Sequence, residues 1–198
     1  MNTLNFQEIE ELISQLNKAA TAQDAIAAIK AIAFCGTKEP EAIAALITAL
    51  SHHHPSVGAA AVEVLVKLAP ATVEPLIAAF YDSTDQGLQA YIIQALAQIG
   101  DKSAIAVLAE VVGTEVANHC QGNVRRIAAR GLGKMGNLGM DKLTWALLTP
   151  EDWGLRYAAA VSLEEIATPE AKAALKAAIA QESDKVVQQR IRTALELI

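Results

Sequence analysis

Two side chains that exchange protons or attack electrophiles near neutral pH stand side by side at His119 and Cys120. They lie inside the polar run Asn118-His119-Cys120-Gln121-Gly122-Asn123, in a chain otherwise rich in alanine. An imidazole titrates close to neutrality and a thiolate is a strong nucleophile, so the pair can serve as acid, base or transient covalent carrier. Directly after it comes Val124-Arg125-Arg126-Ile127-Ala128-Ala129-Arg130, the most basic stretch of the chain. Guanidiniums clamp carboxylates with two parallel hydrogen bonds, which makes Arg125, Arg126 and Arg130 candidates for holding an acidic ligand. Asn123 is a good helix N-cap, so this pattern predicts a helix from about Asn123 with His119 and Cys120 on the loop ahead of it. The positive end of that helix, with Arg125 and Arg126, would favour the Cys120 thiolate. The plain alternative is a loop of ordinary length variation whose Cys and His are incidental.

The elements that carry these residues are repeated. Five segments align without gaps, from Val57 to Leu68, Leu88 to Ile99, Val124 to Met135, Leu155 to Ile166 and Val187 to Ile198. Their anchors are Leu65, Leu96, Leu132, Leu163 and Leu195, and Ile32 fits as an earlier sixth, at successive spacings of 33, 31, 36, 31 and 32 residues. A second helical pattern lies between anchors, and Pro and Gly fall at the junctions. Each unit is a helix pair that buries its apolar face only by stacking on its neighbours, which predicts an all-α, HEAT-like α-solenoid of about five helix-pair repeats. A first helix near residues 7–17 is expected to cap the array, giving residues 1–22 as cap and 23–198 as the repeat body of one domain. The longest spacing, 36, holds its extra residues in 113–123, where the His119–Cys120 pair sits. Insertions in repeat proteins become loops on one face, and loops carry function more often than cores.

Columns across the repeats sharpen the picture. One place after the residue that opens each segment stand Gly58, Gln89, Arg125, Arg156 and Gln188; two places after, Ala59, Ala90, Arg126, Tyr157 and Gln189; six places after, Glu63, Gln94, Arg130, Val161 and Thr193. The last two columns are four residues apart and share a helix face, which puts Arg126 over Arg130 with Tyr157 on the next repeat. The first column has a plain reading as ties between adjacent repeats, and Arg126 with Arg130 read equally as ties or as ligand contacts. Asp82 and Asp85, in the polar loop after Phe80, cap helices or meet a cationic group. His52-His53-His54 before Pro55 reads as a solvated turn, since adjacent histidines splay apart and nothing nearby completes a metal set. Cys35 reads as a buried small hydrophobe, and Trp145 and Trp153 as packing residues, with Trp153 able to border a ligand surface.

Composition narrows the classes. Forty of 198 residues are Ala and only 4% are aromatic, which favours helices throughout. Sixteen Lys+Arg stand against 22 Asp+Glu, a formal charge of −6 that argues against a nucleic-acid sleeve or polybasic membrane surface. Two cysteines make no disulfide framework and point to a reducing compartment. No signal-peptide pattern opens the chain, and no uncharged apolar run reaches membrane-spanning length, so a cytoplasmic protein is expected. Phosphate loops, dinucleotide fingerprints and nucleophile-elbow motifs do not occur.

The motif Asn118-His119-Cys120-Gln121-Gly122-Asn123, with the block from Val124 to Gly133, the start Gln7-Glu8-Ile9-Glu10-Glu11-Leu12-Ile13 and the repeat array, resembles the smaller, F-type subunit of the heterodimeric E/F phycobilin lyases. The motif is similar to that of the isomerising branch, which serves the phycoerythrocyanin α-subunit; the plain branch serves the phycocyanin α-subunit. This resemblance implies a subunit active only with an E-type partner, in the cyanobacterial cytoplasm or plastid stroma. It implies attachment of phycocyanobilin, as substrate and without a resident cofactor or metal, through a thioether to a cysteine of an apo-phycobiliprotein. It further implies His119 and Cys120 for isomerisation to phycoviolobilin, and Arg125, Arg126, Arg130, Tyr157, Asp82 and Asp85 for holding the bilin. The competing reading from another class is a non-catalytic HEAT adaptor or chaperone for phycobilisome or other proteins.

Overall fold

Helix starts are written into the chain as capping side chains, and the fold follows them. The computed structural model describes residues 6–113, 119–148 and 151–198. Thr21 accepts from the Asp24 N–H at 3.1 Å, Asp85 from Gly87 at 2.8 Å, Asp152 from Gly154 at 2.9 Å, Thr168 from Ala171 at 3.2 Å and Asp184 from Val186 at 2.8 Å. Each satisfies an N–H that the helix leaves without an internal partner. Pro40 and Pro55 open two more helices, and Pro169 follows the Thr168 cap, at a position where a missing N–H costs nothing.

Twelve α-helices result among the described residues, and the chain divides after Ile99 into two compact units. The first holds α1 (Phe6–Asn17), α2 (Ala22–Cys35), α3 (Pro40–Ala49), α4 (Pro55–Lys67), α5 (Val73–Asp82) and α6 (Gln86–Ile99). The second holds α7 (Ile105–Gly113), α8 (His119–Lys134), α9 (Met140–Leu148), α10 (Trp153–Ile166), α11 (Pro169–Ile179) and α12 (Lys185–Leu197), with a 3-10 turn ahead of α7 and another ahead of α9. In each unit the even-numbered helices pack side by side, α2 on α4 on α6 and α8 on α10 on α12, with the odd-numbered ones forming a second row. Each unit is a short α-solenoid of three helix pairs. Helix α1 packs on both α2 and α3, as the first member of such a pair.

The anchors do what their spacing predicts. Ile32, Leu65, Leu96, Leu132 and Leu163 are fully buried, each worth about 1.5–3 kcal/mol of apolar burial. Leu195 on α12 is half-buried. Alanine is frequent because the even-numbered helices approach closely. Ala128 and Ala129 of α8 and Ala158, Ala159 and Ala160 of α10 are buried, and Ser162 of α10 donates to the Ala129 carbonyl at 3.1 Å.

One expectation fails. The predicted start at Asn123 gives way to a helix that already includes His119 to Gly122. The reason lies three residues before the residue that opens each aligned segment, where α6, α10 and α12 have Asp85, Asp152 and Asp184 and the segment from Val124 has Gln121. Glutamine does not cap the backbone as aspartate does, so nothing stops the helix there and it runs two residues further back. Backbone residues His119 and Cys120 therefore belong to a regular helix.

A Cβ on Gly133 of α8 would sit 2.7 Å from the Ser162 Cβ and 3.1 Å from its Cα. Alanine is the better helix former by about 1 kcal/mol, but overpacking costs about 1–3 kcal/mol. Gly133→Ala is expected to lower the thermal midpoint measured by circular dichroism, and an unchanged or raised midpoint would show that α8 and α10 separate without loss.

Candidate functional site

The first column resolves into one device. Gln89 donates to the Phe80 and Ser83 carbonyls at 3.2 and 2.8 Å, Arg125 Nε to the Val112 carbonyl at 3.0 Å, Arg156 Nη1 to the Glu151 carbonyl at 3.1 Å, and Gln188 to the Glu182 carbonyl. Each reaches back from the start of an even-numbered helix to carbonyls at or just past the end of the preceding one, groups that the helix itself leaves unpaired. Arg125 is 7% exposed, and burial pulls its guanidinium below the ordinary arginine pKa, against the raising effect of the Asp152 carboxylate. It is a repeat tie. At Gly58 the position is empty of a side chain because the Tyr91 ring fills it, with the phenol donating to the Pro55 carbonyl at 3.3 Å.

The other arginines are joined across helices. Arg126 Nη2 meets Asp152 Oδ1 at 2.8 Å, Arg130 Nη2 meets Glu165 Oε1 at 2.5 Å, and Arg190 pairs with Glu164. Arg156 grips Glu182 through two bonds, at 2.7 and 3.0 Å, with both side chains largely out of water. Arg126 and Arg130 share a face of α8 but diverge, one toward the start of α10 and the other toward its end. The ring that Arg126 faces is Trp153, 5.8 Å from the guanidinium carbon, rather than Tyr157 one turn on. Asp152 causes this, since it caps α10 and draws Arg126 to that end; the Arg126 side chain fills the space left by Gly154. Burial pushes the Asp152 carboxyl upward, yet the hydrogen bond and charge of Arg126 and the Gly154 and Leu155 N–H groups outweigh it, and the group titrates below its ordinary value. Glu182 is lowered likewise, burial being outweighed chiefly by the Arg156 bond.

The structure places the remaining candidates as follows. His119 and Cys120 are backbone members of α8 whose side chains lie outside the described part, as do residues 114–118. By register His119 precedes Arg126 by seven residues and Arg130 by eleven, two and three turns along the same stripe. Tyr157, 37% exposed, lines a cleft with residues of α12. Asp82 is exposed at the end of α5, and Asp85 is the α6 cap; both belong to the first unit and the arginines to the second. Trp153 is 49% exposed, and Trp145 carries Lys142 Nζ 4.4 Å from its ring centroid. The expectation for Cys35 fails: the thiol is half-exposed beside a 94% exposed Phe34, because Gly36 ends α2 in a left-handed turn just beyond them. Its remaining burial, and then the Glu8 charge, raise the thiol pKa. His54 turns its Nδ1 to Ser56 and His52 its Nδ1 to the His54 N–H, and no group of three metal-ligating side chains occurs among the described residues. Sequence reasoning missed Lys185 and Val186. Their signal was a valine in the first turn of α12 outside the Val187–Ile191–Ala194 core series.

Residues 9–86 and 114–196 match the HEAT repeats, and residues 88–114 the PBS lyase HEAT-like repeat. The chain is 61% identical to the Bilin biosynthesis protein PecF of Mastigocladus laminosus, an alignment covering 100% of this chain and 99% of the relative. The chain belongs to the F-type bilin lyase subunits. This F-type subunit is also 32% identical to the Phycocyanin alpha phycocyanobilin lyase CpcF of a Synechocystis species, covering 100% of this chain and 97% of that one. Its backbone matches a chain in the complex of CpcE and CpcF of phycocyanin lyase from Nostoc sp. PCC7120 with a TM-score of 0.68 and 29% identity, over 79% of this chain and 99% of that chain. The arginine network on α8, α10 and α12 therefore belongs to a HEAT-built bilin-handling subunit.

Two sets of variants check the energetics. Arg156→Met strands Glu182 almost buried without its counter-ion and is expected to cost about 3 kcal/mol in urea unfolding, whereas Arg130→Met at the exposed pair costs less than about 1 kcal/mol. Equal losses would refute the assignment of Arg156 as the main tie. Because Asp152 and Glu182 titrate below their unfolded values, their contribution is complete above the ordinary carboxylate range and is lost as pH falls through the lower, folded values. Acid unfolding monitored below about pH 4 should be shallower in Asp152→Asn and Glu182→Gln than in the parent.

Proposed function

We propose that this chain is the F-type half of a heterodimeric lyase that, with an E-type partner, joins phycocyanobilin to a cysteine of a phycobiliprotein α-subunit and moves a double bond to yield phycoviolobilin. The observation that carries it is the 61% identity, end to end, with a PecF bilin biosynthesis protein. The motif from Asn118 to Asn123 supports the isomerising branch. The acceptor's thiol supplies the nucleophile: its sulfur bonds to the ring A ethylidene, and its proton passes to the adjacent ring carbon as the C=C is consumed. Isomerisation removes one proton and returns another at a different carbon, with no net oxidation. His119 performs that acid–base exchange, and Cys120 acts as second proton carrier or as a thiol that adds and leaves. Arg126, Arg130 and Tyr157 hold the bilin. Phycocyanobilin enters as substrate, and the work takes place in the cyanobacterial cytoplasm or plastid stroma. Among the described residues no helix is long and apolar enough to cross a membrane.

Reconstitution with an E-type partner, phycocyanobilin and each apo-α-subunit tests this, read from acid-denatured absorption spectra of the product. The wild type should yield a covalent adduct of shortened conjugation. Cys120→Ala should keep attachment and lose the isomerised product by about 100-fold, the usual range for a proton-transfer group. A Cys120→Ala protein that isomerises at the parental rate excludes Cys120 from the step. A stable complex that yields no adduct with either acceptor points instead to the adaptor reading.

A further inference from the structure

Charge is divided between the units. Residues 1–99 carry 4 Lys+Arg against 10 Asp+Glu, and residues 100–198 carry 12 against 12, including all six arginines. An anionic ligand is therefore repelled by the first unit and tolerated by the second. Within the second, nearly every arginine described above is already in an ion pair or a carbonyl tie. Lys185 is different. It is exposed in the first turn of α12 and forms no ion pair among the described residues, and its nearest acid in sequence, Asp184, is engaged by two backbone N–H groups.

Beside Lys185 the surface is apolar. A cleft of about 420 Å³ is lined by Tyr157 of α10 and by Lys185, Val186, Gln189, Arg190 and Thr193 of α12. Trp153 lies one turn before Tyr157 on α10, so the two rings share a face. Trp153 is 49% and Val186 54% exposed. In a chain with so few aromatics, two rings and a valine left uncovered beside an unpaired ammonium form a platform for a flat conjugated body with a carboxylate at its edge. The platform is tied to α8 through Arg126, which lies against Trp153, and the His119 backbone lies about 10 Å further along the axis of that helix.

We infer that this α10–α12 cleft is a bilin subsite, in which Trp153, Tyr157 and Val186 take a pyrrole face and Lys185 takes a propionate, with Gln189 as its hydrogen-bonding neighbour. The inference rests on the bilin lyase reading and adds the place where the pigment's acidic edge is held.

The test uses the complete complex with an E-type partner, titrated with phycocyanobilin and with its dimethyl ester, and followed by visible absorption without turnover. The wild type should prefer the free acid. Lys185→Ala should weaken the free acid about tenfold and leave the ester unchanged, and Lys185→Arg should restore the preference. Tyr157→Ala should weaken acid and ester alike. Free-acid preference intact in Lys185→Ala overturns the subsite while leaving the lyase reading standing. Loss of E-partner association in these variants, seen by gel filtration, reassigns the cleft to protein docking. A wild-type complex that binds neither form of the pigment overturns both the subsite and the lyase reading.

Discussion

Helices α8 and α10 lie so close that a hydroxymethyl side chain fills the gap between them. Gly133 has no room for a Cβ against Ser162, and Ser162 spends its hydroxyl on the Ala129 carbonyl. Contact of this kind buries backbone as well as side chains, so the positions at the contact are small: Ala129 and Gly133 on α8, Ala158, Ala159 and Ser162 on α10. It also leaves long side chains nowhere to go except along the helix surfaces. Arg126 and Arg130 therefore run in opposite directions over α10, and Arg126 settles in the space above Gly154, against Trp153 and the capping Asp152. The ion pairs follow from the close approach; they do not create it.

Ties between paired helices solve a separate problem. Ends of odd-numbered helices leave carbonyls unpaired inside the stack, and a donor from the following helix supplies the bond: Gln89, Arg125, Arg156 or Gln188. The charged members are chosen where a carboxylate is also near, as Glu182 is for Arg156. A guanidinium at this place is structural first, and solvent-facing residues such as Tyr157, Gln189 and Arg130 come from the second and third columns.

Against this regular frame the fourth repeat is altered at its helix start. Gln121 stands where α6, α10 and α12 have capping aspartates, and the helix extends back through Cys120 to His119. A motif on a packed helix is held more rigidly than one on a loop. His119 and Cys120 share α8 with the arginines that reach to α10, and all of them lie in the second unit.

Repeat period, all-α class and the buried anchors were legible in the chain because a stacked helix pair imposes its spacing on every unit. Family membership was legible for a different reason: the motif from Asn118 to Asn123 is a rare run of polar types that packing alone never requires. Asp85 as a cap was also readable, since aspartate three residues before the apolar residue that opens a repeated segment has a local job. What neighbours do was not readable. The sequence allowed Arg126 to face Tyr157, and only the pull of Asp152 across the gap put it over Trp153. It counted Cys35 as core, although the turn at Gly36 leaves Phe34 and the thiol near the surface. Lys185 looked like any solvated lysine until the cleft beside Tyr157 and Val186 showed what it borders. Local chemistry and period are properties of a chain, but the partner of a long side chain is chosen by whichever helix the packing brings within its reach.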